Sequence, residues 1–338
     1  MKYYLKKFIP VYTANNDIFI GFSDNQQRLI KIENTPQNIS KLNKVINEGI
    51  DEIDFEDNIY SLLNDKNFLG AKNINENRNE LFLNYIADIG LIESEKSTPI
   101  LIFGAGAGGG TLTYLLAQFG FNNLTSIDFD IVNESDIYRV TIFDKTDVGK
   151  YKVLALQGKI KRNFGINIKT NITNSFQTDE IEKLINLYSP EFIIKACDPD
   201  LLFRVNLNKI CFKLKINYFN IAYSYELLNI GPLYVPDFTS CDEGFNQIIK
   251  KAYDESHDFS AYKKLFKDCL IHPSVSFNIN LLANYALKEI IFFITRQYEY
   301  CFSIGRLITL NPLSLQYHFW DITCNDDCKI CQSKQIKL

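Results

Sequence analysis

The first 70 or so residues alternate hydrophobic and polar positions in short runs that are typical of strands. Three such runs lie at residues 5–12, 17–22 and 27–32, and turns rich in Asn, Asp and Gly separate them. Helical patterns follow at residues 38–47 and 55–64. Three strands and short helices in a stretch of this length predict a small unit with its own core.

Further along the chain, strand patterns alternate with helical periodicity. An apolar strand pattern at residues 99–103 is followed by a helical pattern at residues 112–120, and further strand patterns lie at residues 123–130 and 193–198. Strands that alternate with helices are typical of a parallel sheet that is covered by helices on both faces. We therefore expect an α/β, doubly wound, Rossmann-like domain.

A polar stretch at residues 72–79 separates the two patterns and is a candidate linker. We predict an N-terminal unit at residues 1–72 and a larger domain at residues 73–338.

Composition limits the function classes. The 338 residues are 46% apolar and 22% charged, and a net charge of −4 with a pI near 5.6 gives no electrostatic case for nucleic acid as a partner. The longest uncharged apolar run, residues 290–295, is far shorter than the ~20 residues that a membrane span needs. The N-terminus lacks the pattern of a secretory signal, and eight dispersed cysteines favour a reducing, cytoplasmic compartment with a metal site.

A glycine-rich turn joins the strand at residues 99–103 to its helix. Gly104 allows a tight bend, Gly106 allows close approach of phosphate, and Gly109 lets the helix pack on the strand. Asp128 and Asp130 follow just over 20 residues after the first glycine, where an acid often meets ribose hydroxyls. This turn alone fits NAD or FAD as well as ATP, and the two acids fit ordinary strand ends.

Two cations follow closely behind the acids. Ser135 to Arg139 and Asp147 to Lys152 have the spacing of two motifs in the ThiF/MoeB family of ATP-dependent adenylating enzymes, which activate ubiquitin-like proteins and bacterial sulfur carriers. The chain resembles this family over roughly residues 75–331. The resemblance favours ATP over NAD or FAD, because a triphosphate needs these cations.

The resemblance implies a set of nucleotide-binding residues. Arg139 and Lys152 would neutralise the phosphates, and Asp198, at the end of an apolar strand, would hold Mg²⁺; all three are our candidate catalytic residues. The family's asparagine is Asp136 here, which changes a neutral nucleotide contact into an acid, and its glutamine is Val140.

The family also has an arginine that reaches the γ-phosphate across a homodimer. The corresponding segment, residues 77–80, has a single arginine, Arg78, which is out of register with the family motif. We keep Arg78 as a candidate for this contact and expect a homodimer, with the helix that begins near residue 272 at the dimer interface.

Within the family, the chain looks most like the peptide-modifying branch that adenylates the microcin C precursor. Residues 230–236, followed by Thr239 to Cys241, are nearly identical to a segment of that branch outside the nucleotide site. The N-terminal unit then resembles a winged-helix element that captures a ribosomally made precursor peptide by strand addition. A cap without a ligand is the alternative.

Cysteines near the C-terminus suggest a structural zinc site. The family uses two Cys-x-x-Cys pairs, and this chain keeps the second, Cys328 and Cys331, while the first retains only Cys241. Cys324 lies four residues before Cys328 and would restore four thiolates around Zn²⁺. A three-cysteine or degraded site is the alternative.

Residues 241–271 correspond to the family's mobile crossover region and are a candidate lid, or else a solvated helix pair. Cys269 is a weak candidate for a thioester-forming cysteine, and a buried thiol is the simpler interpretation. The three histidines have no ligand-like spacing and are expected to be structural or on the surface: His257, His272 and His318.

Together these observations predict an enzyme that uses Mg-ATP to adenylate a carboxyl or carboxamide-derived group on a precursor peptide. Pantocin-like activation of a side-chain carboxylate, which leads to cyclisation and dehydration, is one alternative. A sulfur-carrier adenylyltransferase and a catalytically inactive peptide-presenting protein are the others.

Overall fold

The computed structural model describes residues 1–22, 28–71, 78–87, 91–173, 177–197, 201–224, 226–244, 274–324, 328 and 330–331. The chain divides into two compact units, Met1–Gly90 and Leu91–Leu338. The first of these units includes the helix at Arg78–Ala87.

The described residues of the N-terminal unit form two small antiparallel sheets and three α-helices, with further helical turns at Lys44–Glu48 and Glu52–Glu56. One sheet has the order β2-β3-β4, and the other pairs β1 with β5. The elements are β1 (Tyr3–Leu5), β2 (Val11–Ala14), β3 (Asp17–Gly21), β4 (Leu29–Glu33), α1 (Pro36–Asn43), α2 (Asn58–Asp65), β5 (Leu69–Ala71) and α3 (Arg78–Ala87). A core of buried aliphatic and aromatic side chains joins β1, β3, β4, β5, α1 and α2, so the unit has its own interior as the sequence pattern indicates.

The predicted strand at residues 5–12 was wrong as a single element. The backbone N–H of Ile9 donates to the carbonyl of Lys6 at 2.9 Å, so the chain turns there, and Pro10 follows the turn. β1 and β2 consequently lie in different sheets.

The larger unit is built on an eight-stranded mixed sheet with the order β13-β12-β11-β10-β9-β6-β7-β8. Strands β10, β9, β6, β7 and β8 are mutually parallel, and β11, β12 and β13 extend the sheet antiparallel. The strands are β6 (Ile100–Phe103), β7 (Leu124–Ile127), β8 (Lys169–Asn171), β9 (Phe192–Lys195), β10 (Asn217–Ser224), β11 (Leu227–Tyr234), β12 (Arg306–Asn311) and β13 (Gln316–Asp321).

Helices connect the parallel strands, which confirms the predicted α/β class. The connecting helices are α5 (Ala107–Gln118), α6 (Lys152–Phe164), α7 (Thr178–Tyr188) and α8 (Leu201–Leu214), whereas α4 (Glu93–Lys96) precedes β6 and α9 (Ser276–Ile294) lies between β11 and β12 in the chain. All four residues of β6, β7 and β9 are buried, as expected for strands covered on both faces. The chain leaves β6 toward β7 on one side and later returns to β9 on the other, so a topological switch point lies at the carboxyl ends of β6 and β9.

One helix in the described part of the chain, α9, has the length and apolar composition of a membrane span. Half of this apolar stretch is buried inside the protein, where α9 packs on α5 and on β11. This packing is that of a core helix in a globular protein.

Candidate functional site

The glycine turn lies at the switch point, between β6 and α5. Gly104 has φ +105°, a conformation that side chains disfavour, and a Cβ there would lie 2.7 Å from the carbonyl oxygen of Ala196. A Cβ on Gly109 would lie 2.1 Å from the carbonyl oxygen of Gly104, so this glycine permits helix and turn to meet. A Cβ on Gly106 would have no neighbour within 4 Å, which leaves open space in front of the helix N-terminus.

The two acids after β7 have different surroundings. Asp128 is buried, and its carboxylate accepts the backbone N–H of Ala105 at 2.6 Å and that of Asp130 at 2.8 Å. Burial raises the pKa of Asp128 above its usual value, against the opposing effect of these two hydrogen bonds. Asp128 therefore braces the glycine turn, while the half-exposed Asp130 is the acid of the pair that a ligand can reach.

Both predicted cations belong to one charged cluster. Lys152 is buried, with its ammonium 3.1 Å from a carboxylate oxygen of Asp130 and 3.7 Å from one of Asp136. The other oxygen of Asp136 is 2.5 Å from Nη2 of Arg139. Contacts thus lead from the glycine turn through Asp128 and Asp130 to a cluster of two acids and two cations.

Asp136 is buried inside the cluster. Burial favours its neutral form, but the N–H of Asn133 and the charges of Lys152 and Arg139 outweigh this effect and lower the pKa of Asp136. The carboxylate is therefore ionised, and its oxygens accept hydrogen bonds from the N–H of Asn133 and from Nη2 of Arg139. It stabilises the two cations.

Arg139 also has two partners that the sequence did not indicate. Its Nη1 donates to the hydroxyl of Ser274 at 3.0 Å and to that of Tyr223 at 3.3 Å. Tyr223 is on β10, and Ser274 precedes α9. No local pattern marks either residue, because both are distant from Arg139 in sequence.

A second ion cluster supports the segment that leads to Lys152. The ammonium of Lys159 is 2.5 Å from Asp144 and 2.7 Å from Asp147, and Asp147 is buried. Asp147 is the acid of the Asp-x-Gly-x-x-Lys motif. Asp147 therefore stabilises this segment, because its ion pair with Lys159 joins the segment to α6.

The four predicted cysteines lie together. The sulfurs of Cys241, Cys324, Cys328 and Cys331 are all within 4.8 Å of one another and all four residues are buried. The Sγ of Cys241 is 3.7 Å from that of Cys324 and 3.6 Å from that of Cys328. A tetrahedral zinc with Zn–S bonds of ~2.3 Å places its sulfurs about 3.8 Å apart. The donor set and spacing fit Zn²⁺, and Cys324 supplies the fourth thiol.

The remaining predicted residues fall into two groups. Asp198, the candidate Mg²⁺ ligand, lies outside the described residues, as do Cys269, His257, His272 and the crossover region beyond Gly244. Arg78 is exposed at the first residue of α3, in the N-terminal unit. His318 is exposed on β13.

The described structure is thus an α/β protein with a glycine turn at the switch point of its sheet and a cluster of four cysteines that fits a metal ion. The chain belongs to the ThiF family, whose model matches residues 80–330.

Named relatives are consistent with this assignment. A stretch of 124 residues is 31% identical to the molybdopterin-synthase adenylyltransferase of Escherichia coli, and it covers 37% of this chain and 49% of the relative. The protein of that name from Salmonella typhimurium is 28% identical over the same length and shares. The chain thus spans about half the length of the curated relatives it matches.

Solved structures match over nearly the whole chain. E. coli MccB with ATP gives a TM-score of 0.72 at 23% identity, covering 98% of this chain and 99% of MccB. E. coli MccB with MccA-N7isoASN gives 0.72 at 20% identity, covering 98% and 100%. Selenomethionine PaaA gives 0.69 at 20% identity, covering 93% and 98%. These similarities establish the fold.

Proposed function

We propose that this protein is an ATP-dependent adenylyltransferase that activates a carboxyl or carboxamide-derived group on a ribosomally made precursor peptide. The observation that carries the proposal is a pair of cations, Lys152 and Arg139, that form ion pairs with Asp130 and Asp136. Contacts link this cluster to the glycine turn, where Gly106 leaves open space for a phosphate. Membership of the ThiF family and the similarity to MccB with ATP support the same chemistry.

In this proposal each residue has a defined task. The N-terminus of α5 binds a phosphate, and the carboxylate of Asp130 accepts hydrogen bonds from the ribose hydroxyls. Arg139 and Lys152 neutralise charge as the substrate oxygen attacks the α-phosphorus and pyrophosphate departs. Mg²⁺, with Asp198 as its proposed ligand, would supply further charge neutralisation at the phosphates.

The N-terminal unit is the proposed peptide-binding element. β2 is an edge strand whose four residues are all exposed, and β4 is the opposite edge of the same sheet. The N–H of Gly21 donates to the carbonyl of Pro10, so these two residues form a hydrogen-bonded pair of the antiparallel ladder. Hydrogen-bonded and non-hydrogen-bonded pairs alternate along such a ladder, so Thr13, opposite Ile18, is in a non-hydrogen-bonded pair and its N–H points away from β3. An edge with outward N–H groups suits strand addition by a peptide.

A single-residue change tests this mode of binding. Proline at Thr13 would remove an outward N–H, and proline at Lys31 would do the same on β4, where Ile30 and Ile32 pair inward. We expect one of the two variants to lose peptide binding by at least about tenfold and the other to keep it. Loss in neither variant would contradict strand addition at this sheet.

The proposal also includes a homodimer, in which Arg78 reaches the nucleotide bound to the partner subunit, and a cytoplasmic location.

Adenylation of a sulfur-carrier protein is the second candidate function, favoured by the 31% identity to a molybdopterin-synthase adenylyltransferase. Pantocin-like activation of a side-chain carboxylate differs from the main proposal only in the fate of the acyl adenylate.

Mass spectrometry distinguishes these functions. The protein is incubated with Mg-ATP and either the short peptide encoded beside its gene or a sulfur carrier ending in Gly-Gly. Gain of one AMP unit on the peptide supports microcin-like nucleotidylation, and loss of water with release of AMP and pyrophosphate supports cyclisation. Adenylation of the carrier alone would overturn the peptide assignment, and no ATP turnover with either substrate would overturn the enzymatic one.

A further inference from the structure

A polar cavity of about 260 Å³ lies among helices α5, α6 and α9 of the larger unit. The three helices contribute polar side chains to its walls: Thr111, Tyr114, Arg162, Asn163 and Asn280. Thr111 is the fifth residue of α5, about one turn further along the helix than the glycine turn. Neither Arg139 nor Lys152 is among the described residues that line the cavity. The cavity is therefore separate from the proposed phosphate site.

The hydroxyl of Thr111 is the unusual group of this cavity. Thr111 is 3% exposed, and its Oγ1 has no hydrogen-bond partner among the described residues. A threonine in a helix can donate to the carbonyl four residues earlier, as Thr113 does to that of Gly109 at 2.7 Å. A buried hydroxyl without a partner lowers stability. The missing partner of Thr111 is thus a group that the cavity has room to hold.

The other polar groups of the cavity are mainly hydrogen-bond donors. Arg162, in the last turn of α6, is exposed, and the described residues provide no partner for its guanidinium. The hydroxyl of Tyr114 accepts from Nδ2 of Asn163 at 2.8 Å, which leaves its own hydrogen to donate. Oδ1 of Asn280 accepts from the hydroxyl of Thr141 at 3.4 Å, which leaves the amide hydrogens of Asn280 for another acceptor.

The charges around the cavity favour an anion over a neutral occupant. Lys159 also lines the cavity, but Asp144 and Asp147 already pair with its ammonium. No acid is among the described lining residues, so the charge that remains unpaired is that of Arg162. One unpaired cation with several neutral donors complements a group that only accepts hydrogen bonds and is negatively charged. Phosphate and carboxylate oxygens have these properties.

We propose that this cavity binds a small anion through phosphate or carboxylate oxygens, with Thr111 and Arg162 as its principal ligands. The hydroxyl of Thr111 donates to one oxygen at the buried end of the cavity. The guanidinium of Arg162 pairs with the anion at the exposed end. The site goes beyond the proposed function and does not depend on it, because it shares no ligand with the cluster of Arg139 and Lys152.

Titration calorimetry with pyrophosphate as the probe, in the absence of Mg²⁺, tests the site in the full chain. The wild type should bind pyrophosphate, and Arg162→Met should raise the Kd at least about tenfold, because a charge-assisted hydrogen bond is lost. Lys161→Met removes the neighbouring exposed cation of α6 and makes the same charge change. Its Kd should stay within about twofold of the wild-type value.

Thr111 and Thr113 form a matched pair for the buried end of the cavity. Thr111→Val keeps the shape of the side chain but should raise the Kd for pyrophosphate about tenfold. Without pyrophosphate, the same variant should unfold at a higher urea concentration than the wild type, because an unpaired buried hydroxyl is gone. Thr113→Val removes a paired hydroxyl, so it should unfold at a lower urea concentration and keep the affinity for pyrophosphate.

Two further probes identify the ligand atoms. Tighter binding of inorganic phosphate than of succinate, sensitive to Arg162→Met, assigns phosphate oxygens to the site. Tighter binding of succinate with the same sensitivity assigns carboxylate oxygens.

The other outcomes overturn the proposal. A wild type that binds none of the three probes has a cavity that holds water only. An unchanged Kd in both Arg162→Met and Thr111→Val would show that the anion does not bind in this cavity. Loss of pyrophosphate binding in Lys152→Met, with none in Arg162→Met, would assign the anion to the nucleotide site.

Discussion

The Asp136 carboxylate lies 2.5 Å from Nη2 of Arg139, so a buried acid holds a cation of the candidate phosphate site. The same carboxylate is 3.7 Å from the ammonium of Lys152. One negative charge therefore orients two cations and at the same time offsets their attraction for an incoming triphosphate. Both effects can be measured separately.

Replacing Asp136 by Asn should tighten ATP binding. The amide of Asn has the shape of the carboxylate, and its oxygen can still accept a hydrogen bond from Arg139, which Tyr223 and Ser274 also hold in place. The negative charge that offsets the attraction of the cations for ATP is removed. We expect the Kd for ATP to fall about tenfold, or ~1.4 kcal/mol, as measured by titration calorimetry. Asp179→Asn, on the exposed start of α7, makes the same charge change as a control. Equal affinity in Asp136→Asn and wild type would show that the acid does not oppose the phosphates.

Asp136 should also contribute to acid sensitivity. Its pKa is lowered in the folded protein by the N–H of Asn133 and by Lys152 and Arg139, in spite of burial. A lowered pKa means that its stabilising contribution is present above the unfolded value of 3.8 and is lost as pH falls through the folded value. Urea unfolding between pH about 2 and about 6 should show a shallower acid loss in Asp136→Asn, and parallel curves would contradict this role.

Lys152 and Lys150 form a matched pair for testing the phosphate contact. Lys152 is buried in the cluster, whereas Lys150 is exposed with an ion pair of 3.6 Å to Asp147. Lys152→Met should lower kcat/KM for adenylation by roughly 10²-fold or more, the usual loss when one donor to the transition-state charge is removed. Lys150→Met should stay within about twofold of wild type. Comparable losses in both variants would point to the net charge of the segment as the cause.

The glycines of the turn should separate folding from binding. A Cβ on Gly109 meets the Gly104 carbonyl, so Gly109→Ala should cost about 1–3 kcal/mol in the free energy of unfolding. Gly106→Ala has room and an extended backbone, so its unfolding curve should match that of the wild type. Its new methyl group would occupy the space proposed for a phosphate, and ATP affinity should fall. Normal ATP affinity in Gly106→Ala would refute the proposed approach of the phosphate.

Cys324 should be required for metal binding. The wild type should contain about one zinc per chain, and Cys324→Ser should lose it, because three thiolates no longer close the tetrahedron. Cys211→Ser changes another buried cysteine outside the cluster and should retain the metal. Elemental analysis of the purified variants provides the measurement. Full zinc content in Cys324→Ser would restrict the site to the other three cysteines.

The sequence by itself determined the features that depend on local backbone geometry. The strand before Gly104, the glycine turn, helix α5 and the strand before Asp128 all follow from residue types whose conformational demands act over a few positions. The resemblance of the cysteine and cation motifs to those of a known family likewise allowed the thiolate cluster, and the presence of Arg139 and Lys152 at one site, to be predicted.

Tertiary structure alone decided which distant groups these residues meet. Tyr223 and Ser274 reach Arg139 from 84 and 135 residues away, and Asp242 reaches Arg204 across 38. The split of the first predicted strand depends in the same way on pairing with β5, near residue 70. Hydrophobic patterning specifies which face of an element is buried, but it carries no information about which polar partner the packing brings to that face. Long-range hydrogen bonds and ion pairs therefore emerge only when the sheet and helices are assembled.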